Sequence, residues 1–102
     1  MYRLVVTELA EDDLDEIVKY IAIELAAPVA ATDFVEAVSD CYSRILNNPL
    51  CYEAARDLKL RLEGYRRAVI KNYIMLYKVF PDNEEVVVYR FFHGRRDYAN
   101  LI

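Results

Sequence analysis

The side chains best able to do chemistry gather near the end of the sequence, where Arg66, Lys78, Arg90, His93, Arg95 and Arg96 all fall within residues 66–96. Arginine presents a planar fork that binds phosphate or carboxylate through paired hydrogen bonds. His93 is the sole histidine, and imidazole exchanges protons most readily near neutral pH. Together these residues could orient and stabilise a phosphate while His93 moves a proton, or they could grip an acidic partner. Each also has a plainer reading. His93 would then cap the end of a strand, Arg95 and Arg96 would be solvated or paired with Asp97, and Arg66 and Arg90 would be lone strand charges facing water.

Other chemistries are poorly supplied. Cys41 and Cys51 stand ten positions apart and match no metal-ligand or redox spacing. With one histidine, a zinc site built on histidine clusters is excluded. The carboxylates Glu11, Asp12, Asp13, Asp15 and Glu16 point in different directions around a helix, so they form a solvated face and not a metal cage. Gly64 and Gly94 are the only glycines, which removes any phosphate-cradling glycine loop. No metal and no cofactor is expected. Tyr65, Tyr73, Tyr77 and Tyr89 have the chemistry to stack on bases, but as strand residues facing helices they belong to the core.

Three strands should carry the basic residues. Tyr65–Ile70 and Tyr73–Phe80 are separated only by Lys71-Asn72, which suits a tight hairpin. Pro81-Asp82-Asn83-Glu84 then punctuates the chain before Glu85–Phe92. Upstream, Tyr2–Thr7 reads as a short strand with Thr7 as a helix N-cap. Leu14, Ile17, Val18, Ile21 and Leu25 recur at helical steps, giving a helix over about Glu8–Ala26. Pro28 suits the first turn of a second helix whose stripe is Ala31, Phe34, Val38, Cys41 and Ile45, and Asn47-Asn48-Pro49 ends it. Cys41 on that stripe reads as a buried thiol. Residues 50–64 read as a loop, with a short helix over Ala54–Leu62 as the other possibility. The order is β-α-α-β-β-β. It predicts an α+β fold with a helical hairpin packed on one face of a small, mostly antiparallel sheet.

Alternation assigns the sheet faces. Tyr73, Met75, Tyr77 and Val79 should face the helices, with Val87, Tyr89 and Phe91 beside them. Val86, Val88, Arg90 and Phe92 should face away. If Arg66 shares that outer face, Arg66, Lys78 and Arg90 line an open surface running on to His93, Arg95 and Arg96.

The chain has 102 residues and a net charge of −4, which fits one domain spanning residues 1–102. Its charge is unevenly spread. Residues 1–64 carry 13 of the 17 acidic groups and a balance of −7, whereas residues 65–102 carry +3. The strands and tail are therefore the electropositive end. No apolar run approaches the ~20 residues of a membrane span, and the start lacks the order of a signal peptide. A cytoplasmic protein without membrane contact is expected.

The pattern Tyr73-x-x-x-Tyr77-x-Val79, the string VVVYRFFHGRRD, the close at Leu101-Ile102 and the opening YRLVVTELAEDDLDEIVKYI together resemble the RelE/ParE superfamily of bacterial toxins. The resemblance covers essentially the whole chain. It implies the toxin of a type II toxin–antitoxin (plasmid stabilisation) system that inhibits growth. It further implies a cognate antitoxin whose C-terminal segment wraps the toxin in a hetero-oligomer. One branch of the superfamily cleaves mRNA on the ribosome without metal; the other inhibits DNA gyrase. For the nuclease the catalytic candidates are His93, Arg66, Arg90 and Arg96. Contact with target or antitoxin falls to Arg66, Lys78, Arg90, Arg95, Arg96 and Tyr98. The nuclease branch carries arginine after the tyrosine opening the middle strand, where this chain has Ile74, and the HGRRD ending is closer to the ParE-like and unassigned branches. Gyrase inhibition is the expected mode; an endoribonuclease, or a decayed toxin retaining only antitoxin binding, is the alternative.

Overall fold

A computed structural model describes all 102 residues. The first strand, β1 (Arg3–Val6), leads through Thr7 into α1 (Glu8–Lys19). Thr7 caps that helix as its sequence position predicts, its Oγ1 accepting from the Ala10 N–H at 3.1 Å. The apolar stripe of α1 was expected to run to Leu25, but a π-turn over Tyr20–Glu24 intervenes. The wider turn carries Leu25 off the stripe: Ile21 stays buried, whereas Leu25 is 55% exposed. The second helix, α2 (Pro28–Asn47), begins on its proline and buries the stripe Ala31, Phe34, Val38, Cys41 and Ile45.

Part of the stretch expected to be loop is helical. Asp57 caps α3 (Leu58–Leu62) by accepting from the Leu60 N–H at 3.0 Å. Gly64 follows with φ +92°, the left-handed conformation that turns the chain towards the sheet. Then come β2 (Arg66–Ile70), β3 (Tyr73–Phe80) and β4 (Glu85–His93). The sheet order is β1-β4-β3-β2, with β1 parallel to β4 and the other pairs antiparallel. This is the predicted α+β fold with its mostly antiparallel sheet.

The helical hairpin covers one face. Met75, Tyr77, Ala68, Val86, Val88 and Phe91 pack there with Phe34, Val38 and Ile45 in a cluster of 14 buried residues. Two expectations about the faces fail. The register shifts between Leu76 and Tyr77, which pair with Arg90 and Val88. Tyr89 is therefore an extra residue, a bulge that reverses the alternation along β4. Val86 and Val88 turn inward, and Tyr89 joins the far side with Arg90 and Phe92.

The far side is also not open. A second core of Ala55, Leu60, Tyr65, Ile74, Leu76 and Phe92 lies there, covered by α3 and by Tyr98, Ala99 and Ile102 of the tail. No helix is long and apolar enough to cross a membrane.

Candidate functional site

The tight turn between β2 and β3 and the end of β4 meet at one corner of the sheet. Lys71 takes φ +56° in that turn. The Gly94 N–H donates to the Asn72 carbonyl at 2.8 Å. A Cβ on Gly94 would stand 3.2 Å from that oxygen, so the side-chain-free residue permits the close approach. This junction fixes the residue before it, His93, whose ring lies edge-on to Tyr73 at 5.4 Å between centroids. The His93 Nδ1 accepts from the Arg95 N–H at 3.2 Å, and its carbonyl accepts from the Arg96 N–H at 3.0 Å. Arg95 and Arg96 are thus presented on a turn folded back on His93. Neither makes an ion pair; Asp97 instead accepts from Asn100 at 2.7 Å.

His93 stands between two depressions. On the helix side is a cleft of about 680 Å³ with an apolar floor that includes Ile17, Ile21, Phe34, Tyr73 and Phe91. One wall carries Asp13, Glu16 and Asp33; the other carries Lys71, His93 and Arg96. On the far side is a smaller groove of about 450 Å³ bordered by Arg67, Lys71, Asn72, His93 and Arg95. The cleft can take apolar side chains while its rim pairs with charges of either sign. The groove offers cationic and neutral polar groups beside Val69 and Ile74, and no carboxylate.

The other candidates do not join this corner. Arg66 pairs across from Tyr77 and so lies on the helix side. Its Nε and Nη2 both donate to the Tyr52 carbonyl, at 3.0 and 2.7 Å. Arg90 lies on the far face, over the Phe92 ring at 4.6 Å, and its guanidinium clasps Asp13 at 2.7 and 3.1 Å. That hydrogen-bonded partner raises the Arg90 pKa above its ordinary value, with burial opposing it. The two arginines are therefore on opposite faces, and the continuous basic surface drawn from Arg66, Lys78 and Arg90 does not form. Lys78 is sandwiched by aromatics, its Nζ 4.3 Å from the Tyr65 ring centre and 5.4 Å from that of Tyr89. Tyr98 stacks on Phe92 at 5.8 Å, with the ring planes 13° apart, and anchors the tail.

Three participants escaped sequence reasoning. Asp13 looked like one of several solvated carboxylates, yet it also accepts from the Phe91 N–H at 3.0 Å and ties α1 to β4. Arg67 was overlooked beside Arg66, although strand alternation alone places neighbours on opposite faces. Lys71 counted only as a turn residue. No group of His, Cys, Asp and Glu side chains is arranged to hold a metal ion.

Comparison with known proteins agrees with this architecture. Residues 4–98 match the family described as the ParE toxin of the type II toxin–antitoxin system parDE. Among solved structures, the chromosomal ParDE system from P. aeruginosa is similar at 18% identity and a TM-score of 0.70, covering 91% of this chain and 96% of that one. The toxin–antitoxin complex RelBE2 from Mycobacterium tuberculosis is similar at 20% identity and a TM-score of 0.63, covering 90% of each chain. At these identities the likeness is one of fold. No curated protein matches the sequence.

Proposed function

Because the chain belongs to the ParE toxin family of type II toxin–antitoxin systems, we propose that it inhibits a macromolecular target of the DNA gyrase class by binding, and that a cognate antitoxin neutralises it. The observation carrying this reading is how its arginines are used. A metal-free nuclease needs several donors around one phosphate and a group to move the proton. Of the four catalytic candidates, Arg66 is held by the Tyr52 carbonyl and Arg90 by Asp13. His93 and Arg96 alone remain together at the cleft. Ile74, after the tyrosine that opens β3, is buried in the second core.

The antitoxin fits the helix-side cleft. Both similar structures contain toxin–antitoxin pairs. An apolar floor with charged walls suits an amphipathic segment laid along it, its apolar side chains seated and its charges meeting the rim. Contact then falls to His93 and Arg96, with Arg95 beside them.

A second reading, ribosome-dependent mRNA cleavage without metal, is favoured by one observation: exposed His93 stands beside unpaired Arg95 and Arg96. The two separate on inducing the protein, mapping mRNA ends on translating ribosomes and assaying gyrase supercoiling in parallel. Stalled supercoiling with intact transcripts is the expected result. Transcript cleavage lost in His93→Ala and Arg96→Ala would replace the gyrase reading with the nuclease one. Neither effect, with antitoxin binding intact, would leave a chain that only binds its antitoxin.

A further inference from the structure

The helix-side cleft carries charges that the chain itself leaves unmatched. Glu16 and Asp33 stand exposed on its helical wall, and Lys71 and Arg96 stand exposed on its sheet wall. None of the four enters an ion pair, whereas the neighbouring Asp13 is held by Arg90. Apolar surface also runs out of the cleft onto the tip of the helical hairpin. Tyr20 and Leu25 line the cleft yet are 49% and 55% exposed. Ile23 and Val29 lie on the same tip and are 71% and 73% exposed. One exposed apolar side chain needs no explanation, but four on one tip beside an apolar floor form a patch.

We propose that in the free chain this face pairs with the same face of a second copy, giving a two-fold symmetric dimer. A patch of a single sign repels its own image. A patch with acid on one side of an apolar floor and base on the other meets its complement when the two-fold axis runs along the floor, because that axis exchanges the two sides. Glu16 and Asp33 of each copy then face Lys71 and Arg96 of the other, and the two hairpin tips cover each other's apolar surface. Any other ligand would have to carry both charges in the right order; a second copy carries them by symmetry. The net charge of −4 on each copy opposes association in general, so affinity depends on this local matching. The pairing goes beyond the antitoxin reading and holds for the chain alone, whichever surface an antitoxin takes.

Sedimentation equilibrium of the full chain without antitoxin tests this. A monomer–dimer equilibrium with a dissociation constant on the order of 10 μM is expected. Reversing the acidic wall, by Glu16→Lys with Asp33→Lys, should weaken pairing at least about a hundredfold, since like charges then meet and symmetry counts each reversal twice. Reversing the basic wall, by Lys71→Glu with Arg96→Glu, should do the same. Mixed in equal amounts, the two reversed chains should pair with each other at close to the original affinity. Their net charges become 0 and −8 from the original −4, so no global attraction explains that recovery. All four positions are exposed, and unchanged circular dichroism melts would show that both reversed chains are folded. A monomer at every concentration, a dimer indifferent to both reversals, or association continuing past two copies would overturn the proposal. So would folded reversed chains that fail to pair when mixed.

Discussion

Asp13 shows how much one side chain can join. It accepts from two guanidinium nitrogens of Arg90 and from the Phe91 N–H, fastening the first helix to the last strand. The pair is sheltered, with side-chain exposures of 21% and 15%. Asp13→Ala should cost about 2 kcal/mol, because the arginine and the amide both lose their acceptor; the urea midpoint at constant slope measures it. Tyr42 presents the opposite case. Its hydroxyl is buried without a partner, and burial pushes its pKa up to about 12. The folded chain therefore holds this proton more tightly than the unfolded one. That contribution is intact below the ordinary tyrosine value of 10.0 and is lost as pH rises towards about 12. Tyr42→Phe removes an unpaired polar group, so a gain of ~1 kcal/mol is expected at neutral pH. Denaturant melts at alkaline pH should also show a shallower loss, the remainder belonging to Tyr77, likewise raised to about 12.

At the scale of elements, α3 and the tail change what the sheet can do. Leu60 is fully buried against Ile74, Leu76 and Phe92 on the side expected to be bare. Leu60→Ala should destabilise the fold by about 2–5 kcal/mol, as deletion of a packed leucine does. A cost near zero in thermal melts would mean that α3 merely rests on the surface. The bulge at Tyr89 has a comparable reach. One added residue swaps every inward and outward position before it on β4, so Val86 and Val88 enter the main core while Tyr89 meets Tyr65, 5.4 Å between centroids. Strict alternation read from Phe91 backwards cannot reveal such an insertion, because nothing in a run of apolar residues marks it.

For the molecule as a whole, the proposed function rests on one corner. The two depressions flanking His93 differ in chemistry: an apolar cleft with walls of opposite charge, and a small cationic groove. If an antitoxin segment occupies the cleft, Arg95→Glu with Arg96→Glu should weaken toxin–antitoxin affinity at least about tenfold and slow association at low salt. Calorimetry and stopped-flow mixing would measure both; an unchanged Kd would remove the tail from that interface.

Legible in the amino-acid order were every strand and the first two helices, the Thr7 cap, the proline-led second helix and its buried stripe, and the concentration of basic groups in the last third, but not α3. Those features are local, set by side-chain periodicity and backbone preference over a few neighbours. Tertiary structure alone decided which basic groups remain available. Arg66 and Arg90 are claimed by a carbonyl and a carboxylate, 14 and 77 positions away in the chain, and Arg67 keeps one donor unclaimed. Such partnerships depend on which distant segments folding brings within hydrogen-bond reach, and no spacing along the chain records that distance.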